Sequence, residues 1–216
     1  GFIATNKLGL AVAGHTGRLA AMAGLTLPIE THVLQALVSD PVKPVLDTVV
    51  TSGAVHFYIS QSDKGELVMG GDLDFCNSYS QRGNLPIIEH VVSACLALFP
   101  SFGRLKVMRT WGGVCDMTMD GSPIIGKLPV KGLYMTGGWC YGGFKATPAS
   151  GWLHAHTIAQ DAPHALNSAF TLERFAPLAG STFSVALGAP WDLRLELAEV
   201  AALSPQTTFT GAFRAP

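Results

Sequence analysis

The chain has 216 residues, 48% of them apolar and 13% charged, and a formal net charge of −1. That length buries a real core in one large domain or two small ones and excludes a disordered chain; the charge balance offers no basic patch for nucleic acid and no polybasic run for a membrane surface. No apolar run reaches the ~18 residues that span a bilayer, and GFIATNKLGL lacks the charged start of a signal peptide. The absence of an initial Met predicts a fragment or a processed chain, and the low charge predicts a surface covered by another chain or by a further part of this one.

In chain order, LGLAVAG (8–14) reads as a short buried strand. HTGRLAAMAGL follows as a short helix with Thr16 as its N-cap. TLPIETHVLQALVSD (26–40) alternates between two faces, as a strand does. AVHFYISQSDKGELVMGGDLD (54–74) predicts a hairpin turning at Asp63-Lys64-Gly65. NLPIIEHVVSACLALFP (84–100) predicts the clearest helix, capped by Asn84, with Pro86 in its first turn and Ile87, Val91, Ala94, Cys95 and Leu98 on its apolar face. RLKVMRTWGG (104–113) is a strand running into glycines, and 120–138 reads turn, strand, turn, strand. TPASGWLHAHTIAQD (147–161) predicts a helix with Thr147 at the N-cap and Pro148 behind it. From about Ser181 the composition changes; one amphipathic helix over 192–203 is predicted there, without a chemical role. No repeat period is visible.

Cys76, Cys95, Cys115 and Cys140 form no CxxC pair, which argues against zinc and against a disulfide framework; reduced, buried thiols in a cytoplasmic protein are the expectation. Chemistry concentrates in GGWCYGGFKATPASG (137–151), where five glycines surround one lysine between a strand and a helix. Glycines let a flat or bulky ligand approach the backbone. The helix start adds unpaired N–H groups and a positive dipole end, and Lys145 adds a full charge. Such a site suits an anion, or a ring that becomes anionic during reaction. An ordinary glycine-rich turn with a solvated lysine is the plain alternative for a motif standing alone.

The motif does not stand alone. RTWGGVCDMTMDGSPIIG (109–126) precedes it, and the two together resemble the D-amino-acid-oxidase-like flavoenzymes, which include sarcosine and glycine oxidases. Arg109, Trp111, Gly113, Thr118, Asp120, Gly121, Pro123 and Gly126 match that family's pattern in order, and Gly138, Trp139, Gly142, Gly143, Phe144 and Lys145 follow at the right distance. Within the family, LPIETHVLQALVSD, SQSDKGELVMGGDLD, QRGNLP, RTWGG, GWCYGGFKATPASGW and NSAFTLERF resemble the β subunits of heterotetrameric sarcosine oxidases, over roughly residues 1–176.

The resemblance implies an α/β fold of mixed α+β character: the C-terminal half of a two-domain FAD-dependent oxidoreductase, with a mixed, mostly antiparallel substrate-domain sheet and part of the FAD-binding domain. Residues 1–30 would end the FAD-binding domain, 31–125 form the substrate domain, 126–165 return to the FAD-binding domain at the flavin ring, and 166–216 form a tail of uncertain order. It implies FAD contacts from Gly138, Trp139, Cys140, Gly142, Gly143, Phe144, Lys145 and Thr147. It assigns Lys145 to the substrate carboxylate, with Tyr141 as a further catalytic candidate beside it. The implied reaction oxidises sarcosine to glycine, with the one-carbon unit passed to water or tetrahydrofolate and electrons to FMN and then oxygen, in a hetero-oligomer with the other sarcosine oxidase subunits. An oxidase or dehydrogenase of another amino or imino acid (glycine, dimethylglycine, an opine) and a non-catalytic subunit keeping the fold stay open.

Departures from the family pattern carry their own expectations. The dinucleotide fingerprint is absent, GLAVAGHTG being a poor imitation. The substrate-clamping arginine and the histidine that carries covalent FMN would lie upstream of this sequence. The oxygen-activating lysine of monomeric relatives falls near Val68, which fits a subunit that hands electrons to FMN; Lys64 lies close by without that role. Weak or absent flavin binding is expected of these 216 residues alone. Elsewhere plain readings are preferred: structural roles for His32 and His56 on strands, no joint chelation by His154 and His156, a structural ion pair of Arg109 with Asp120 or another carboxylate, packing for Trp111 and Trp139, and a solvated turn for Asp72 and Asp74. Cys140 carries no mark of an activated thiol.

Overall fold

A computed structural model describes residues 2–74, 76–178, 182–186 and 192–196. The first strand, β1 (Leu8–Leu10), buries only Leu10. Helix α1 (Thr16–Met22) follows a single 3-10 turn. Its N-cap is His15, one residue before the predicted cap, because the Thr16 hydroxyl donates backward to the Ala13 carbonyl at 2.6 Å. The long strand β2 (Ile29–Pro41) buries Thr31, Val33, Gln35, Leu37 and Ser39 on one face, and the predicted alternation is interrupted only at Ala36, which is buried on the other.

Strands β3 (Val50–Ser52), β4 (Phe57–Gln61) and β5 (Glu66–Leu73) come next. β4 and β5 form the predicted hairpin, with Ile59 opposite Met69. His56 lies on the turn before β4 at φ 44°, not on a strand. Helix α2 (Leu85–Leu98) starts as predicted, its Ile87 N–H donating to Asn84 Oδ1 at 3.1 Å. It buries Ile87, Val91, Ala94 and Cys95, whereas Leu98 is exposed: the fifth residue of the predicted stripe falls on the outer side of the last turn. Strand β6 (Val107–Thr118) is longer than predicted and runs on through the glycines.

Strands β7 (Ile124–Lys127) and β8 (Leu133–Gly137) pair antiparallel around a tight turn. Helix α3 (Gly143–Gln160) departs from expectation at its start. Gly142 is the N-cap, and Thr147 and Pro148 lie inside the helix. A turn closed by the Gly142 N–H on the Trp139 carbonyl (2.9 Å) already sets the chain on a helical course, so the first turn forms four residues before the threonine. The Thr147 hydroxyl then donates to the Gly143 carbonyl at 3.1 Å, while Pro148 offers no N–H to the carbonyl four residues back. Two 3-10 segments follow, Ala165–Phe170 and Leu172–Leu178. The last elements among the described residues are strands β9 (Thr182–Ala186) and β10 (Asp192–Glu196), an antiparallel pair. Over its first five residues the helix predicted at 192–203 is therefore a strand; DLRLE alternates polar and apolar, a period of two that the longer window hid. The rest of that predicted helix lies outside the described residues.

The chain divides into two compact units, one built from the segments before Glu30 and after Cys115, the other from Glu30–Cys115. In the first, the order β1-β8-β7 places β1 parallel to β8. Its core joins Leu10, Ala20, Leu25 and Leu27 to Ile124, Leu128, Leu133, Met135 and Phe175. In the second, the order is β3-β4-β5-β2-β6, and α2 packs Ile87, Val91, Ala94 and Cys95 against Leu37, Phe57, Ile59, Leu67 and Met69. Apolar side chains removed from water at about 25 cal/mol per Å² hold each sheet to its helix.

Candidate functional site

Strand β8 ends in the glycine-rich turn, and α3 leaves it. Gly138 has φ 72°, a left-handed conformation, and a Cβ there would meet Thr118 Cγ2 at 2.4 Å. Only glycine fits both conditions. Cys140 is also left-handed, at φ 52°, which costs a side-chain-bearing residue about 1 kcal/mol or more. Its thiol donates to the Gly138 carbonyl at 3.5 Å. The Trp139 indole N–H donates to Thr136 Oγ1 at 3.1 Å, so Trp139 is half-buried and fastened to β8.

Beyond the fastened part the turn opens to solvent. Tyr141, Phe144, Lys145 and Thr147 are all exposed, Phe144 to 97%. The Lys145 ammonium donates to the Tyr141 carbonyl at 3.2 Å and so stays over the turn instead of trailing into solvent. The first N–H groups of α3, at Gly143, Phe144 and Lys145, have no carbonyl one turn back within the helix, and no acidic residue sits in that first turn. The dipole end and Lys145 together make this corner electropositive.

The buried side of the turn holds a residue the sequence reading missed. Asp116, two residues before the end of β6, is 4% exposed. Its Oδ2 accepts the Gly138 N–H at 2.5 Å, and its backbone carbonyl accepts the Cys140 N–H at 2.9 Å. Burial pushes its carboxyl pKa up, against the pull of the Gly138 and Trp139 N–H groups. A signal was present: Gly112, Asp116 and Thr118 share the inward register of one strand, and a charged residue in that register is unusual.

Several plain readings change. Asp120 pairs not with Arg109 but with Arg174, whose guanidinium donates to both carboxylate oxygens at 2.8 and 3.1 Å; Arg109 is exposed and has no ion pair among the described residues. Asp74 is 8% exposed, not part of a solvated turn. It accepts from Gln35 Nε2 and from Asn84 Nδ2, the latter at 2.5 Å, because the α2 cap and β2 close over it. His32 is structural, its ring bridging the Asp74 carbonyl (2.9 Å) and Glu30 (3.1 Å). Trp111 is exposed, not packed. His154 is half-buried, its pKa lowered by burial, and no group of metal-ligating side chains occurs among the described residues.

Residues 3–157 match the family model for FAD dependent oxidoreductases. The chain belongs to the FAD-dependent oxidoreductase family. Among curated relatives it is 59% identical over 175 residues to sarcosine oxidase subunit beta of Rhizobium meliloti (strain 1021), covering 81% of this chain and 42% of that one. It is 54% identical over 175 residues to the subunit of the same name from Arthrobacter sp, covering 81% and 43%. Among solved structures, L-proline dehydrogenase from P. horikoshii superposes with a TM-score of 0.71 at 25% identity, over 80% of this chain and 48% of that one. The chain thus spans about two fifths of the length of the curated relatives it matches.

In an FAD-dependent oxidoreductase the cofactor needs bare backbone and electropositive groups, and the residues here fit it. A Cβ on Gly142 would meet only the Trp139 carbonyl, at 3.5 Å, so little stands before the turn. Val68 is a half-buried residue of β5 opposite Val38 and Ser60. No helix among the described residues is long and apolar enough to cross a membrane.

Proposed function

We propose that this chain is part of the β subunit of a heterotetrameric sarcosine oxidase, working in the cytoplasm with the other subunits of that enzyme. The observation that carries the reading is the α3 start: bare backbone at Gly142 and Gly143, uncompensated helix N–H groups and the Lys145 ammonium, within a stretch that shares more than half its residues with β subunits of that name. The sides of the turn divide the labour. Gly138, Trp139 and Cys140 are pinned from below and, with Gly142, Gly143, Phe144, Lys145 and Thr147, contact the flavin.

Lys145 holds the substrate carboxylate by charge, and the Tyr141 phenol lies within the same turn to orient the amine. Bound FAD would supply the redox chemistry, taking a hydride equivalent from the N-methyl carbon. The α3 dipole end and Lys145 favour the negative charge that accompanies reduction. The oxidised substrate then loses its one-carbon unit to water or tetrahydrofolate, leaving glycine. In the assembled enzyme FMN would pass the electrons on to oxygen; no residue of this chain is assigned to FMN, and the aliphatic Val68 fits a subunit that does not itself activate oxygen.

The test is Lys145→Met in the assembled oxidase. Flavin content and the visible flavin band are expected to stay, while kcat/KM for sarcosine falls about a hundredfold or more, mostly through KM. An unchanged kcat/KM removes Lys145 from the substrate site.

A further inference from the structure

Asp116 is a buried carboxylate with no cation paired to it among the described residues. Backbone amides answer its charge instead. The Gly138 N–H donates to Oδ2 at 2.5 Å, and the Trp139 N–H helps hold the carboxyl pKa down against burial. The same residue's carbonyl takes the Cys140 N–H at 2.9 Å, so one strand residue engages three successive residues of the turn. Two residues on, Thr118 reinforces the attachment, its hydroxyl 3.7 Å from Cys140 Sγ and its methyl filling the space a Gly138 side chain would need. The turn needs such help. It holds two left-handed residues, one of them a cysteine, and left-handed backbone persists only where surroundings over-determine it. A carboxylate accepts several N–H bonds at once, each stronger than one to a neutral acceptor.

We propose that Asp116 is the positioning residue of the 137–142 turn: its buried carboxylate and carbonyl lock Gly138, Trp139 and Cys140 into place and thereby fix where α3 begins. Its effect on the flavin rests on the function proposed above; the lock itself does not.

The experiment uses the assembled oxidase with Asp116→Leu and Asp116→Asn, and reads amide hydrogen exchange in the peptide spanning 137–145 beside the visible circular dichroism of the bound flavin. Removing a charged acceptor from buried N–H groups is expected to speed exchange in that peptide about tenfold or more for the leucine variant. Asparagine returns one oxygen to the same place and is expected to bring exchange within about threefold of the parent. Unchanged exchange in the leucine variant, or equal exchange in both variants, overturns the lock. Faster exchange with an unchanged flavin spectrum upholds the lock and counts instead against a flavin-facing turn. If the leucine variant does not assemble, Asp116→Glu serves: its longer arm must displace Gly138, and unchanged exchange there overturns the proposal.

Discussion

At the scale of single residues, space and backbone angle decide more than chemical type. Gly138→Ala would put a methyl group into Thr118 Cγ2 and force alanine to φ 72°. The backbone part alone costs about 1–2 kcal/mol, so the variant should unfold at clearly lower urea. Thr118→Ser removes the obstructing methyl and keeps the hydroxyl that donates to the Ser122 carbonyl at 2.8 Å. The double variant should recover part of the loss; strict additivity of the two changes would show that the contact is not the cause. Asp116 belongs to this scale as well. Its raised folded pKa means that its stability contribution is present at low pH and lost as pH rises above the ordinary 3.8 through the folded value. Asp116→Asn should remove that loss, which stability curves taken from pH 3 to 7 will show.

Elements were legible where their signals were local and their ends polar. The alternation of β2, the β4–β5 hairpin and the Asn84 cap of α2 all form as the residues dictate. Asn84 does more than a cap needs, since its Nδ2 also donates to Asp74. Asn84→Ala should therefore cost more than the ~1 kcal/mol of an ordinary cap, about 2–3 kcal/mol by urea unfolding, because a buried carboxylate loses a donor. That second task was invisible in sequence: Asp74 follows two glycines and reads as a turn until the cap closes over it. The α3 start was misread for the opposite reason. Thr147-Pro148 is a strong local signal, but the turn at 139–142 reaches helical geometry earlier and the helix absorbs the proline. The site was legible as a glycine turn with a lysine, and not as a turn pinned from beneath, because the pin stands more than twenty residues upstream on another strand.

Over the whole molecule, the chain crosses between its two units twice, at Ile29/Glu30 and at Cys115/Asp116, and β6 carries residues of both. Family membership follows from a match running through both crossings. Because the chain covers about two fifths of its curated relatives' length, the isolated 216 residues should take up FAD weakly. A stable absorbance band near ~450 nm after purification, the mark of bound oxidised flavin, would overturn that expectation.

Acid sensitivity belongs here too. The Arg174 guanidinium holds the Asp120 carboxyl below its ordinary 3.8. That depressed pKa contributes stability above pH 3.8 which is lost as pH falls through the folded value. Asp120 is 39% exposed, so the ion pair itself contributes little, under about 1 kcal/mol. Arg174→Ala should flatten the acid limb of the unfolding curve and also lower its neutral plateau, because the Ser122 and Pro123 carbonyls lose their donor.

Arg174 also donates to the carbonyls of Ser122 and Pro123 and lies over the Phe175 ring. A single side chain thus stitches the Leu172–Leu178 segment to the corner between β6 and β7, and Phe175 plugs the core beneath the seam. A cut before Arg174 would therefore act abruptly, opening the corner, stripping Asp120 of its partner and uncovering the interior in one step.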